Sequence, residues 1–539
     1  MTGSPRVLTG GEAVVRALAA HGVSRAFGIP GTHNLEVYRH LPAYGIEHIV
    51  PRHEQGAGYA ADAHARVTGT PGVAITTTGP ALLNIAAAVG QAYSDSVPLL
   101  VVSPGMPLRH PRQSTGLLHE MRSQTEALRG VAAFSHRVSS VAEIGAAVAR
   151  AFTLFRTERP RPVHLEIPLD LLETADPAGP VRLAPPAGPR IPDTAALRAA
   201  AALLAGAERP ALVLGGGARG AAVPCLALAE ELTAPVVTTA NGKAVVDERH
   251  PLSLGVSLHS PAIQKWLSTR DVILAVGTEL AESDLWAELP PLQGRLIRLD
   301  IDPAQMYAGT PADIPLVGDA QATLNALRGE GLRESAAPSR APVGAVQEAA
   351  TLRATRNEET GPRDARWLPY LEAIGSTLAR DAIVTSDSAQ CCYYGALPHL
   401  LLGPRARYLH PTGFGTLGYA LPAAIGAKAA HPDRHVVALS GDGGLQFTVQ
   451  ELATAAELHL PLPVVVFDNG GYGEIREEMT ARGDSPLAVD HARVDLSVLA
   501  RAYGGRGARA HSPGELAALL ARALTTPGPT LITVPEELS

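Results

Sequence analysis

Two polar side chains in the last fifth of the chain have the types and spacing of a cation and phosphate site. Asp442 stands in Gly441-Asp-Gly-Gly444, and Asn469 stands in Asp468-Asn-Gly-Gly471. Carboxylate and amide oxygens suit Mg²⁺, which fills its other positions with phosphate or carbonyl oxygens. Glycines let the backbone approach phosphate, and a helix N-terminus favours negative charge. The pair predicts a metal and diphosphate clamp; a plain glycine-rich turn is the alternative for either segment alone.

The elements around these segments predict where the clamp lies. Residues 435–440 and 462–467 are short apolar runs typical of buried strands, and residues 450–458 have helical spacing. A strand–loop–helix–strand unit brings both loops to the carboxyl edge of a parallel sheet. That edge is where open α/β sheets bind ligands.

Length and composition limit the class of protein. The chain has 539 residues, too many for one core, and predicts about three domains. A hydrophobic fraction of 46% with a net charge of −7 fits an ordinary globular protein, without a basic surface for nucleic acid or acidic membranes. Three cysteines favour a reducing cytoplasm. We expect no signal peptide and no transmembrane helix.

Two proline-rich stretches divide the chain. Residues 176–192 and 335–342 are predicted linkers. They separate ranges 1–180, 190–335 and 355–539, each of which alternates strand and helix patterns. Such alternation predicts an α/β protein of three doubly wound parallel-sheet domains.

The middle range contains a glycine motif after a strand. Residues 215–220 formally match GxGxxG, but the next predicted strand, 235–239, lacks the acidic residue that a dinucleotide site requires. The sequence therefore argues against a nicotinamide dehydrogenase.

The clamp and a distant segment together resemble a known family. Residues 51–66 form a helical stretch that opens with Glu54 among glycines and alanines. Taken alone, Glu54 is read as a capping or ion-pairing residue. With the clamp, the chain resembles the thiamine diphosphate (ThDP) enzymes of the acetolactate synthase and 2-oxo acid decarboxylase family. Asp468 departs from that family's pattern, which usually has Asn there.

This resemblance covers nearly the whole chain and implies its domain roles. The three domains would be pyrimidine-binding, central and diphosphate-binding. Asp442, Asn469 and the Gly471 carbonyl would bind Mg²⁺. Residues 277–284 do not match the run that binds FAD in the synthases, which argues against FAD.

The resemblance also implies catalytic and cofactor-binding residues. Glu54 would hydrogen-bond the aminopyrimidine and promote formation of the thiazolium ylide. His33 would be an acid or base, or else a hydrogen-bonded loop residue, and Gln124 would face the substrate. Leu417 would hold the cofactor bent, with core packing as the alternative. The implied cofactor-binding residues are Gly31, Asn84, Ser388, Gln390, Gly415, Leu417, Gly441, Gly443, Gly444 and Tyr472.

Two positions carry specific expectations about geometry and substrate. Ala81 replaces a usual glycine, so a turn requiring positive φ there would be strained. Glu474 stands where most relatives have an apolar residue, and a cationic substrate tail would pair with it. The alternative is an ion pair with Arg476 or with another protein cation. The chain looks closest to the 5-guanidino-2-oxopentanoate (2-ketoarginine) decarboxylases.

The implied reaction is decarboxylation of a small 2-oxo acid through the ylide and an enamine, giving an aldehyde. The alternative fate joins the enamine to a second carbonyl compound, as in acetolactate synthases. In this family Glu54 acts on cofactor bound by a neighbouring subunit, which implies a homodimer or homotetramer. A non-catalytic binding relative is the hypothesis from a different class.

Overall fold

The computed structural model describes residues 7–111, 114–177, 181, 183, 188–329 and 342–536, and the following statements refer to these. They contain three six-stranded sheets, each parallel throughout, and one antiparallel pair of strands. The prediction of an α/β chain with three parallel-sheet domains is confirmed. No described helix has the length and apolar character needed to cross a membrane.

The first sheet lies in the N-terminal domain, with strand order β3-β2-β4-β5-β7-β6. The strands of this domain are β1 Val7–Thr9, β2 Arg25–Gly28, β3 Glu47–Ile49, β4 Gly72–Ile75, β5 Leu99–Gly105, β6 Phe134–Arg137, β7 Val163–Pro168 and β8 Ala175–Pro177. Strands β1 and β8 form the antiparallel pair, which is separate from the six-stranded sheet. The helices are α1 Gly10–Ala20, α2 Leu35–Tyr38, α3 Glu54–Thr68, α4 Pro80–Ser94, α5 Gln124–Arg129, α6 Val141–Thr157 and α7 Leu169–Glu173. Alternate residues of β5 pack into two different cores, so helices cover both faces of the sheet.

The central sheet has the order β11-β10-β9-β12-β13-β14. Its strands are β9 Pro210–Leu214, β10 Val236–Thr238, β11 Ser253–Val256, β12 Val272–Val276, β13 Arg295–Asp300 and β14 Ile314–Val317. Its helices are α8 Thr194–Ala205, α9 Ala222–Leu232, α10 Pro261–Ser268, α11 Glu282–Leu285 and α12 Ala320–Leu327, and α13 Pro342–Glu358 packs against α10. The central domain also reaches the third one: the buried Lys243 ammonium pairs with Glu248 at 2.8 Å and donates to the Leu397 carbonyl.

The C-terminal sheet has the order β16-β15-β17-β18-β20-β19. Its strands are β15 Ile383–Ser386, β16 Arg407–Leu409, β17 Val436–Gly441, β18 Leu462–Asp468, β19 Arg506–Arg509 and β20 Pro529–Pro535. Its helices are α14 Pro362–Ala365, α15 Leu368–Thr377, α16 Leu397–His399, α17 Ala420–Ala430, α18 Asp442–Leu445, α19 Glu451–Glu457, α20 Gly473–Ala481, α21 Leu496–Ala502 and α22 Pro513–Ala523. The strands and helix predicted around the clamp are thus β17, α19 and β18.

One hydrophobic core joins the first and third domains, because α3 lies directly on α17. Gly426 of α17 touches the backbone of α3 at Ala60, and any side chain there would overlap its carbonyl. Each sheet falls inside one of the three predicted ranges, although their exact boundaries stay predictions. Residues 178–180, 182 and 184–187 of the first predicted linker, and residues 335–341 of the second, lie outside the described residues.

Candidate active site

The predicted clamp residues meet at the carboxyl ends of β17 and β18. The Asn469 backbone N–H donates to Asp442 Oδ1 at 3.2 Å. A Cβ built on Gly443 would lie 3.1 Å from the Tyr472 ring and 3.3 Å from the Gly471 carbonyl oxygen, so these segments are in contact. Both loops therefore reach one point, as the strand–loop–helix–strand pattern predicts.

The chemistry of this point fits a divalent cation and a phosphate ligand. Burial and the charge of Asp468 raise the pKa of Asp442 to about 6, because two carboxylates lie close together. A cation between hard oxygen ligands relieves that repulsion. Gln390 Nε2 is buried without a hydrogen-bond partner among the described residues, and Gln390 Oε1 lies beside Gly473. An unpaired donor next to the clamp suits a phosphate oxygen.

Asp387 ties the clamp to the other cofactor segments. Its carboxylate accepts hydrogen bonds from the Gly418 N–H at 2.9 Å and from Ser440 Oγ at 3.1 Å. Burial raises its pKa to about 6. It thereby fixes the turn holding half-buried Leu417 and exposed Gly415, whose φ is +61°. Asp387 was not a predicted site residue, although the neighbouring Ser388 and Gln390 were.

Glu54 begins α3 and is 8% exposed. Asn84 Nδ2, on the exposed side of α4, donates to Glu54 Oε2 at 2.9 Å, so two of the predicted residues are in contact. The start of α3 is held by Glu451 of α19, which accepts from the backbone N–H groups of Arg52 and His53 at 3.0 Å. Glu451 was not a predicted site residue, because its partners lie in another domain.

The turn before α4 is unstrained at Ala81. The residue with positive φ there is Gly79, at +61°, whereas Ala81 lies inside the helix and is buried. The expected strain at Ala81 therefore does not arise. A Cβ on Gly79 would come within 2.5 Å of the His119 carbonyl oxygen, so only glycine fits this turn.

A pair of histidines shares one hydroxyl group beside this turn. Thr78 Oγ1 lies 2.6 Å from His33 Nδ1 and 3.2 Å from His119 Nδ1. Burial, and secondly the charge of His119, lower the pKa of His33. A hydroxyl can donate to one imidazole while it accepts from the other, so the three groups form a path for one proton. Thr78 and His119 were not predicted site residues.

Gln124 holds the same turn from behind. Its side-chain oxygen accepts from the Gly79 N–H at 2.7 Å, and its side-chain nitrogen donates to the Pro104 carbonyl at 2.7 Å. The side chain is 4% exposed. Both ends of the amide are thus engaged by backbone, which positions the turn; the predicted contact of Gln124 with substrate stays a prediction.

Glu474, at the start of α20, carries an unused oxygen. Its Oε1 accepts from the Tyr394 hydroxyl at 2.6 Å, while its Oε2 is buried without a hydrogen-bond partner among the described residues. Arg476 binds Asp490 instead, at 2.6 Å. The alternative in which Glu474 pairs with Arg476 is therefore wrong. The carboxylate remains open to a cationic group.

The predicted residues thus form two groups within one chain. Glu54, Asn84, His33 and Gly31 belong to the N-terminal domain, and Gln124 lies behind them. The clamp, Ser388, Gln390, Leu417 and Glu474 belong to the C-terminal domain. Asp387, Glu451, Thr78, His119 and Tyr394 complete the site, although their roles depend on neighbours distant in sequence.

The family is decided by comparison with known proteins. Residues 8–127 match the model of the thiamine pyrophosphate enzyme N-terminal TPP binding domain, 197–327 the central domain, and 391–534 the C-terminal TPP binding domain. The chain belongs to the thiamine pyrophosphate enzymes. Thiamine pyrophosphate is ThDP under another name, so the predicted cofactor is confirmed.

This thiamine pyrophosphate enzyme is similar to proteins of two kinds. A probable 2-ketoarginine decarboxylase, AruI, from Pseudomonas aeruginosa is 44% identical over 93% of this chain and 89% of its own length. An acetolactate synthase large subunit from Parasynechococcus marenigrum is 33% identical over 98% of this chain and 88% of its own length. A probable acetolactate synthase large subunit from Methanocaldococcus jannaschii is 31% identical over 98% of this chain and 92% of its own length. The predicted class, a ThDP-dependent 2-oxo acid decarboxylase or carboligase, is confirmed.

The central domain of this enzyme also borders a cavity of about 390 Å³. It lies where the carboxyl ends of β9 and β12 meet the N-terminal domain. Its walls include Gly216 and Gly217 of the glycine motif and Asp300 at the end of β13. The prediction that this domain binds no FAD stays a prediction.

Proposed function

We propose that this enzyme decarboxylates a 2-oxo acid with a cationic tail, converting 5-guanidino-2-oxopentanoate to 4-guanidinobutanal. The observation that carries the proposal is that Glu474 Oε2, a buried carboxylate oxygen, has no hydrogen-bond partner in the described part of the chain. A buried charge costs free energy unless it is paired. A guanidinium supplies two parallel hydrogen bonds to such a carboxylate. The 44%-identical relative from Pseudomonas aeruginosa is named a probable 2-ketoarginine decarboxylase, which supports the same substrate.

The C-terminal domain holds the cofactor in this proposal. Asp442, Asn469 and the Gly471 carbonyl bind Mg²⁺, and Gln390 donates to the diphosphate. Bound ThDP supplies the electron sink that lets a 2-oxo acid lose CO₂. The hydrogen bond from the Gly418 N–H to Asp387 fixes the turn that contains Leu417. Leu417 would hold the bound cofactor in place.

The N-terminal domain supplies the acid–base groups. Glu54 hydrogen-bonds the pyrimidine ring, and Asn84 keeps its carboxylate oriented. Decarboxylation consumes one proton, R–CO–COO⁻ + H⁺ → R–CHO + CO₂. His33 delivers that proton, and His119 replaces it through Thr78, because both imidazoles lie within hydrogen-bond distance of the same hydroxyl.

We further propose a homodimer or homotetramer whose active sites lie between subunits. Large apolar side chains are exposed around both halves of the site: Leu83, Leu117, Leu118, Phe414 and Phe447. Grouped exposed apolar surface is typical of a protein interface. Three free, buried cysteines suit a reducing cytoplasm.

The test compares two substrates with a matched pair of variants. The purified enzyme with ThDP and Mg²⁺ receives 5-guanidino-2-oxopentanoate or 2-oxohexanoate, whose tail is uncharged, and CO₂ and aldehyde are measured. We expect Glu474→Gln to lower kcat/KM for the guanidino substrate about 10-fold or more, since a charged hydrogen bond is lost. Activity on 2-oxohexanoate should stay the same or rise.

Glu478→Gln is the control, because Glu478 lies at an exposed position of the same helix. Equal losses on both substrates in Glu474→Gln would contradict the assignment. Acetolactate from pyruvate, without aldehyde from the guanidino acid, would establish the carboligase alternative that the synthase relatives favour.

A further inference from the structure

Trp286 of the central domain stands at the edge of the Glu474 site in an unusual conformation. It follows the short helix α11 with φ of +56°, and its side chain is 44% exposed. A large side chain rarely adopts this left-handed conformation, since its Cβ crowds the backbone. Neighbours on both sides hold it there: Asp284 accepts from the Ala240 N–H at 2.9 Å, and Gln264 donates to the Leu285 carbonyl at 2.7 Å.

A line of aromatic rings leads from Trp286 to the open carboxylate. The imidazole of His259 stacks on the indole, with ring centroids 4.2 Å apart. The other neighbour of the indole is Tyr394, whose ring centroid is 5.2 Å away at a nearly perpendicular angle. Tyr394 in turn donates to Glu474. The central domain thereby contributes a ring beside a carboxylate of the C-terminal domain.

The charges around Trp286, Tyr394 and Glu474 suit a cation. Burial lowers the pKa of His259 to about 4, so the ring behind Trp286 is neutral at physiological pH. A protein guanidinium already uses this cluster, since Arg363 lies 4.2 Å above the Tyr394 ring. Arg363 is engaged by Asp364 and Glu477, which leaves Glu474 Oε2 without it.

We propose that Trp286 is a specificity-determining residue whose indole face stacks on the guanidinium end of the substrate while Glu474 binds its edge. This inference rests on the proposed function. A guanidinium is planar and weakly hydrated, so it can stack on an aromatic face and form paired hydrogen bonds in its own plane. The two residues together select a planar cation, whereas Glu474 alone would accept any cation of the right length.

Ligand binding tests the inference without turnover. The probe is 4-guanidinobutanoate, with pentanoate as the matched acid that lacks the guanidinium, and each is added to the enzyme with ThDP and Mg²⁺. The other two tryptophans, Trp266 and Trp367, are 7% and 1% exposed, so a fluorescence change reports mainly Trp286. We expect a saturable change with the guanidino compound alone. Calorimetry should give a roughly 10-fold weaker Kd in Trp286→Leu and a near-normal Kd in Trp286→Phe, which keeps an aromatic face.

Kinetics separate this inference from the function beneath it. Trp286→Leu should raise KM for 5-guanidino-2-oxopentanoate about 10-fold with little change in kcat, and leave 2-oxohexanoate within about twofold. Tyr307→Leu, which removes another exposed aromatic residue of the same domain, should change neither. A wild-type preference for the guanidino acid that persists in Trp286→Leu would overturn the role of Trp286 alone. A wild-type enzyme with no such preference would overturn the proposed function and this inference together. Equal losses on both substrates in Trp286→Leu would overturn the role of Trp286 in specificity.

Discussion

At the scale of single residues, the carboxylates of the site differ in what they face. Glu54 faces an amide donor, Asp387 faces backbone and hydroxyl donors, and Asp442 faces a second carboxylate. Donors favour the ionised form, whereas a neighbouring carboxylate calls for a cation. The same chemical group can therefore orient, brace or bind metal, according to its partner.

Glu54→Gln tests the first of these roles. We expect kcat to fall by about 10² or more, since an amide cannot support proton transfer in the pyrimidine ring as a carboxylate does. ThDP should still bind, because the clamp is unchanged, and calorimetry would measure this. Glu47→Gln removes an exposed carboxylate of the same domain and is the control. Nearly normal turnover in Glu54→Gln would refute its catalytic role.

At the scale of elements, helices of the C-terminal domain set the position of Glu54, a predicted catalytic residue of the N-terminal domain. The α3 helix rests on α17, and its first residues are held by Glu451 of α19. Gly56 lets this contact form, because a Cβ there would overlap the Glu451 carboxylate. Glu54 is thereby fixed relative to the C-terminal sheet of its own chain.

The N-terminal sheet contains a buried histidine that makes its stability depend on pH. His164 of β7 lies between Ser103 Oγ and Ser135 Oγ, at 2.8 and 2.7 Å, and burial lowers its pKa to about 3. The ordinary pKa of histidine in the unfolded chain is about 6.5. Between these values the unfolded chain binds the extra proton, so stability falls as pH falls from about 6.5 towards 3.

His164→Asn should reduce this dependence. The loss of unfolding free energy between pH 7 and pH 5 should be smaller by about 2 kcal/mol than in the wild type. Urea unfolding at the two pH values measures it, and the comparison between variants cancels the opposite contribution of buried carboxylates such as Asp284, whose pKa burial raises to about 7. His511→Asn, at an exposed position, is the control. An unchanged pH dependence in His164→Asn would show that the pKa of His164 in the folded state is close to its ordinary value.

At the scale of the whole molecule, the two halves of the site lie on different domains, and exposed apolar side chains surround both. Such a surface fits a second copy that brings its own clamp to Glu54. Symmetry would then create two equivalent sites in a dimer. In each site of such a dimer, one chain would supply Glu54 and the other chain would supply the clamp.

Mixing two inactive variants measures this directly. Glu54→Gln and Asp442→Ala are each expected to be nearly inactive alone. If each site combines two chains, refolded or co-expressed mixtures should recover about a quarter of wild-type activity, since half of the dimers are mixed and each has one intact site. If each chain builds its own site, no activity returns. A mixture of Glu54→Gln with itself is the control.

The sequence by itself determined the features that depend on short stretches of chain. The clamp strands, the helix that opens with Glu54 and the three parallel sheets follow from runs of apolar residues and from glycine-rich loops after strands. A local pattern is enough for these, because parallel strands place their following loops at one edge. The family resemblance also singled out Glu474, because most relatives have an apolar residue at that position.

Only the tertiary structure decided which distant groups touch. It showed that the positive φ belongs to Gly79 and not to Ala81, and that Gln124 has two backbone partners. It also showed that Arg476 pairs with Asp490 and not with Glu474. It also brought Trp286, Tyr394 and Glu474 together from two domains, and His33 to His119 through Thr78. These contacts depend on how whole sheets and helices pack, and packing of surfaces far apart in the chain leaves no periodic signal in the residues that meet.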